Sequence, residues 1–222
     1  AREFVMKDAY SFHLTAEDLD REYWNMYRAY ERVFTRLGLR FRAVAADTGA
    51  IGGSASHEFQ VLAESGEDAI AFSDGSDYAA NIEMAEAVAP AIERPAPSAQ
   101  LQRVDTPTQK SIEEVSAFLG VPPQQCLKTL LVQGRDGLVA LCLRGDHEVN
   151  EVKAAKFEEL DGACALAEEA AIVAAIGCPP GFVGPVGLPE GIPVLVDRSA
   201  AVLADFVCGG NQAGTHFTGA TW

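Results

Sequence analysis

The apolar run over residues 126–143, CLKTLLVQGRDGLVALCL, constrains the fold more than any other stretch of the chain. Residues 130–132 and 138–143 are aliphatic enough for buried strands, and Gly134, Asp136 and Gly137 mark a turn between them, so the run predicts a β-hairpin. Its one lysine, Lys128, opens the run. A charge at the lip of an apolar sheet is costly unless it meets an anion or stays in water. On these residues alone, Lys128 fits either an anion-binding site or a strand-end side chain whose stem lies on the apolar edge while its ammonium reaches solvent.

Composition sets the frame around that hairpin. A chain of 222 residues with 48% hydrophobic content can form one large or two modest domains with true cores. No segment reads as a secretory signal. The alanine-rich stretch 163–176 is interrupted by Glu168 and Glu169, so no run is long and apolar enough to suggest a membrane span, and a cytoplasmic protein is expected. The five cysteines, Cys126, Cys142, Cys164, Cys178 and Cys208, show no metal-ligand or redox spacing and read as reduced, mostly buried thiols. The net charge of −15 argues against a protein devoted to non-specific nucleic-acid binding. That charge is unevenly spread: residues 1–45 hold 8 of the 17 basic and 7 of the 32 acidic side chains, leaving 9 basic and 25 acidic beyond them. Any polyanion docking on the second part must use individually placed cations, with Lys110, Lys128, Arg144, Lys153, Lys156 and Arg198 as the candidates.

Along the chain, residues 2–13 alternate imperfectly and suggest a strand. Thr15 then caps an amphipathic helix with Leu19, Tyr23, Met26, Tyr30, Val33 and Leu37 on one face, ended by Gly38. Residues 41–46, 59–62 and 69–72 read as strands, 47–58 as a glycine- and serine-rich loop without P-loop spacing, and 78–88 as a helix. The Pro- and Ala-rich stretch 89–100 reads as a linker. Beyond it, helices are expected over 111–119, 148–157, 168–176 and 199–206, a rigid Gly/Pro loop over 178–187, a strand over 194–196, and a last strand containing His216 and Phe217. No repeat of solenoid period is present.

The motifs REFVMKDAYSFH and DTGAIGGSASHEFQVLAESGEDAIAFSDGSDYAANIE resemble the bacterial-type class II prolyl-tRNA synthetases around and after their motif 2. In order, VDTPTQKSIEEV, LKTLLV, RGDHEVNEVK, GFVGP, VDRS and GGNQAGTHF resemble the editing domain inserted in that family. The resemblance implies a partial class II aminoacylation core over residues 1–72, a connecting segment over 73–103 and an editing domain over 104–222. The expected fold class is α/β in the α+β sense, a mixed, mainly antiparallel sheet in the editing part beside a partial antiparallel core. The chain reads as starting partway through motif 2 and stopping before motif 3, so proline activation by this piece is not expected.

By the same resemblance, Lys128 contacts the phosphate or terminal adenosine of tRNA. The loop carrying Gly181, Gly184 and Pro185 polarises the ester carbonyl, Asp197 is the editing aspartate, and His216 shapes an alanine pocket with Thr106 at its rim. Asp197 equally fits a helix N-cap before Ser199. Arg144, Asn150 and Lys153 form a further substrate-binding cluster. Phe4, Asp8, Phe12 and His13 match residues of the aminoacylation site, although Phe4 and Phe12 also fit ordinary strand core. No covalent nucleophile or metal cluster is visible, so the implied reaction is water attack on an aminoacyl ester assisted by a ribose hydroxyl. It would need no cofactor, whereas ATP and Mg would serve the parent's charging reaction. The implied partners are the acceptor end of proline tRNA, with alanine and proline as amino-acid ligands, and no membrane; the parent is expected to be a homodimer. Two other readings stay open: a tRNA-end binding module inactive without further domains, and a free-standing deacylase of the superfamily, against which the stretch 2–13 speaks.

Overall fold

Thr15 begins the first regular element. Its hydroxyl accepts from the Asp18 amide at 3.2 Å, Glu17 and Asp18 face the positive end of the helix dipole, and α1 (Ala16–Arg36) runs to a turn in which Gly38 adopts φ +70°. The computed structural model describes residues 3, 5–49, 52–53, 55–66 and 68–222, and the chain divides into two compact units, Ala1–Ala85 and Glu86–Trp222. Over the described residues the fold is mixed α/β, and most strand pairs are antiparallel.

In the first unit, β1 (Phe41–Ala45), β2 (His57–Val61), β3 (Ile70–Phe72) and β4 (Ala79–Asn81) form a sheet in the order β2-β1-β4-β3, with β1 and β4 parallel. The helix lays Tyr23, Tyr27, Tyr30 and Phe34 against His57, Phe59 and Phe41, with ring centroids such as Tyr27–Phe59 at 5.0 Å and Phe34–Phe41 at 5.3 Å. The packed face is therefore rotated from the expected one: Leu19, Val33 and Leu37 are at least half exposed, because the aromatic rings reach the sheet and claim the interface.

Two further expectations fail in this unit. The helix expected over 78–88 is replaced by β4, whose backbone pairs with β1 on one side and β3 on the other, so sheet hydrogen bonds override the local alanine content. The strand expected over 2–13 is absent among its described residues. No neighbouring edge pairs with it, an unpartnered strand gains no ladder bonds, and Val5, Tyr10 and Phe12 are more than four-fifths exposed.

The second unit contains two sheets. In one, β6 (Leu127–Gln133) and β7 (Leu138–Arg144) form the expected hairpin, flanked by β8 (Ala165–Leu166) and, in parallel with β7, β9 (Val194–Val196). Pairing runs from Leu127↔Arg144 to Gln133↔Leu138. Lys128 thus sits inside the ladder opposite Leu143. In the other sheet β11 (Thr215–Ala220) lies between β10 (Phe206–Gly209) and β5 (Gln102–Asp105). A bridge from Cys126 to Val207 brings the two sheets together.

Helices α2 (Ile112–Leu119), α3 (Glu151–Ala154), α4 (Glu169–Ile176) and α5 (Arg198–Ala201) surround the sheets. Two are shorter than expected. Asn150 caps α3, which ends within one turn, and the end of the 199–206 segment becomes β10 because Phe206 is fully buried with Leu127, Cys142 and Cys208. The stretch 89–100 has no helix or strand. It is strapped to the second unit by Asp205, which accepts from the Ser98 amide at 2.9 Å, the Ser98 hydroxyl at 2.6 Å and the Ala99 amide at 3.1 Å, and by Arg94 Nε donating to the Ala201 carbonyl at 2.9 Å.

Candidate active site

A pocket of about 280 Å³ opens where the start of β6 meets the ends of β10 and β11. Lys128, Gly181 and His216 line it together with Lys110, Glu113, Glu148, Val183, Val207, Cys208 and Gly209. Residues far apart in sequence meet there because two glycines let backbones touch. A Cβ on Gly184 would lie 2.0 Å from the Gly209 carbonyl oxygen, and one on Gly209 would lie 2.3 Å from that of Val183. Only glycine fits either position.

Asn211 locks this contact. Its side chain accepts from the Gly184 amide at 2.8 Å and donates to the carbonyls of Gly184 at 3.0 Å and Val186 at 2.8 Å, while its own amide donates to Phe182 at 2.9 Å. One consequence revises an expectation. The Gly184 N–H is committed to Asn211, whereas among the described residues no partner is found for the N–H groups of Gly181, Phe182 and Val183. Gly181 and Val183 line the pocket, and Gly184 and Pro185 do not.

His216 is 5% exposed. Its Nδ1 lies 2.6 Å from the hydroxyl of fully buried Thr106, and its ring meets Phe182 edge-on at 5.7 Å. Burial lowers its pKa, partly opposed by a hydrogen bond to the Gly181 backbone. The neutral ring is therefore favoured at neutral pH, and Thr106 and Gly181 hold it in place. Cys208 lines the pocket, but burial pushes its thiol up to about 12, so it supplies no thiolate. Cys126 and Cys142 are raised to about 11 for the same reason.

Lys128 Nζ donates to the His147 carbonyl at 2.9 Å and to Glu148 Oε1 at 2.7 Å. Glu113 is held ionised, first by hydrogen bonds from its own backbone and from Ser111, with the charge of Lys128 adding to them. Two cations and two carboxylates therefore share the pocket and its mouth.

The remaining sequence-derived candidates lie around this centre. Asp197 caps α5, accepting from the Ser199 amide at 3.0 Å, and its Oδ1 lies 3.8 Å from His147 Nδ1. Arg144 forms a two-pronged pair with Asp146 at 2.6 and 3.0 Å and places Nη2 2.9 Å from His147 Nε2. Asn150 accepts from the Lys153 amide at 3.0 Å as the α3 cap. None of Asp197, Arg144, Asn150 and Lys153 lines the pocket, but Asp197 and Arg144 grip the side chain of His147, whose carbonyl holds Lys128.

The four aminoacylation candidates are not gathered into a site. Phe4 lies outside the described residues. Asp8 and Phe12 are exposed, and His13 bonds Asp18 and Ser11 at 2.7 Å each. Among the described residues no group of three His, Cys, Asp or Glu could hold a metal ion, and no helix is long and apolar enough to cross a membrane.

Residues 106–222, the part that builds this pocket, match the family described as the aminoacyl-tRNA editing domain. The chain belongs to that family. Editing-domain residues are not the only ones with relatives. A proline–tRNA ligase of Thiobacillus denitrificans is 57% identical over 99% of the chain, and one of Xanthomonas campestris pv. campestris is 56% identical over all of it. The chain spans 38% and 39% of those relatives' lengths. Among solved structures, a protein proposed to be a trans-editing enzyme for prolyl tRNA synthetase shows 22% identity and a TM-score of 0.46, covering 53% of this chain and 74% of that one.

Sequence reasoning missed several residues of this editing-domain pocket. Glu113 and Glu148 fall in stretches that read as helices, and Asn211 stands in the GGNQAGTHF motif with no role assigned to it, whereas Lys110 is among the candidate cations. The one available signal for Asn211 was its place after Gly209 and Gly210, where a short polar side chain can enter the left-handed region it occupies at φ +52°.

Proposed function

We propose that this pocket hydrolyses the ester joining a small amino acid, alanine, to the terminal adenosine of a mischarged proline tRNA. The observation that carries this reading is the convergence of Lys128, Gly181 and His216, from three separate elements, on one pocket of an aminoacyl-tRNA editing domain. Lys128 meets a phosphate of the acceptor end as a point charge. The unpaired amides of Gly181 and Val183 polarise the ester carbonyl and stabilise the oxyanion. Val183, Val207 and Cys208 offer an apolar wall for a methyl group, and neutral His216 orients the substrate. Water adds to the carbonyl carbon with a ribose hydroxyl taking part in its activation. The acyl C–O bond then breaks, the leaving ribose oxygen takes up the proton that the attacking water gave up, and free alanine and tRNA leave. Arg144, Asp197, Asn150 and Lys153 act from the rim.

The need for such a site is physical. A pocket built for proline cannot exclude the smaller alanine sterically, because a missing methylene is worth only about 1–3 kcal/mol. In this reading the longer protein charges proline tRNA with ATP and Mg as a homodimer, and its mistakes are cleared in the pocket described above. The similarity to proline–tRNA ligases over 99% of the chain, first unit included, weighs against a free-standing deacylase.

The test is incubation with alanyl-tRNA for proline. Hydrolysis by the wild type that falls about 30-fold or more in Lys128→Ala supports the site. Binding without hydrolysis would make the chain a tRNA-end binding module, and hydrolysis indifferent to Lys128→Ala would remove the pocket from the reaction.

A further inference from the structure

The ammonium of Lys128 is already occupied by a carboxylate of its own chain. Lys128 is held from behind by the His147 carbonyl at 2.9 Å, and Glu148 closes on it from the solvent side at 2.7 Å. The two partners differ sharply in exposure: the Lys128 side chain is 19% exposed and the Glu148 side chain 86%. Both line the pocket. An ion pair with one partner this exposed is weak and easily exchanged, whereas the carbonyl contact is part of the fold.

We infer that Glu148 is a positioning residue, a built-in anion that holds Lys128 aimed into the pocket and is displaced by a phosphate of the incoming nucleic-acid end. The ligand class follows from the exchange. A replacement for a carboxylate on an ammonium must itself be an anion, and it must bring further contacts in the pocket to win against a tethered competitor. Glu113, the other carboxylate facing Lys128, is tied to its own backbone and Ser111 and stays in place. Lys110, also in the lining, keeps the local charge from turning negative when the phosphate enters.

This inference rests on the proposed acceptor-end substrate, but it is read out by binding alone. The probe is the trinucleotide CCA carrying a 5′-phosphate, titrated by calorimetry at fixed salt into the whole chain. Glu148→Gln keeps the shape and removes the charge, and it is expected to tighten binding roughly two- to fivefold, while Glu148→Asp stays near the wild type. In a Lys128→Met background the Glu148→Gln change should alter the Kd by less than about 1.5-fold, because its effect runs through the lysine. Weaker or unchanged binding in Glu148→Gln overturns the inference. So does an equal gain without Lys128, or no trinucleotide binding by any variant. If binding behaves as expected but alanyl ester is not hydrolysed, the deacylase reading falls and the role of Glu148 stands.

Discussion

The two units of the chain use their aromatic residues in opposite ways. In the first, Tyr23, Tyr27, Tyr30, Phe34, Phe41 and Phe59 form one continuous stack between helix and sheet, yet α1 has no fully buried residue. In the second, Phe206 and Phe182 are 0% and 2% exposed and anchor separate clusters, each of which contains residues that line the pocket. Ring-to-ring contact thus holds a helix on a sheet with only small side chains such as Val44 and Ala80 fully buried beneath it, whereas the pocket of the editing domain stands on closed packing. The sharpest test is a matched pair of truncations. Phe206→Ala should cost about 3–5 kcal/mol, as for other large cavities in closed cores. Phe59→Ala should cost about half as much, since its ring is only partly removed from water. Urea unfolding monitored separately in each unit by hydrogen exchange measures both, and equal costs would break the contrast.

The next largest effect belongs to the polar clamp. Asn211→Ala removes three side-chain hydrogen bonds from the 182–186 backbone, and the carbonyls and amide left behind should cost about 1–3 kcal/mol. Because Asn211 sits at φ +52°, alanine adds backbone strain, which Asn211→Gly avoids. If glycine restores stability fully, the conformation and not the clamp was what mattered. If both variants are destabilised and both lose ester hydrolysis, the pocket owes its shape to the clamp.

A smaller effect separates the pocket from the rest of its unit by pH. Burial lowers the His216 pKa from its ordinary value near 6.5, so the unfolded chain takes up that proton before the folded one does. The stability contributed by the neutral ring is complete above about pH 6.5 and is lost progressively as pH falls toward the lowered folded value. Thermal melts of the wild type should therefore fall between pH 6.5 and 5 more steeply than those of His216→Gln, which cannot titrate. Parallel slopes would mean that the ring is not buried as described.

How much of this was legible in the sequence follows the same division. The hairpin, the capped α1 and the last strand were readable because their signals are local: apolar runs around a glycine turn, and Thr15 before acids. The rotated face of α1, the short strand β4 in place of a helix over 78–88, and the lack of a strand among the described residues of 2–13 depended on which partner edge was available, and that information lies elsewhere in the chain. At the site, Lys128 stood out as a lone charge in an apolar run. Its carboxylate neighbours did not, since Glu113 and Glu148 look like ordinary surface charges until the fold brings them to the same pocket. The 181–185 loop adds a related point: a motif names a loop, but only the hydrogen bonds show which of its amides are spoken for, as Asn211 takes that of Gly184.

The smallest expected effect concerns the strap over 89–100, where the sequence suggested a free spacer. Arg94 donates to Ala201 at 2.9 Å and Asp205 gathers Ser98 and Ala99, whose hydrogen bonds hold its carboxyl below the ordinary range. These contacts lie at the surface, so releasing one should leave global stability nearly unchanged. What should change is local opening. A protease must engage an extended, detached segment, and the Pro- and Ala-rich strap presents its backbone only when its ties let go. Asp205→Gly keeps the left-handed backbone at φ +53° while deleting the carboxylate. It should speed limited cleavage between residues 89 and 100 about threefold or more with no shift in the urea midpoint. Arg94→Ala, which removes a single bond, should do so by less. Cleavage in this stretch as fast in the wild type as in Asp205→Gly would make the strap a free spacer after all. The two units would then differ only in how they bury their rings.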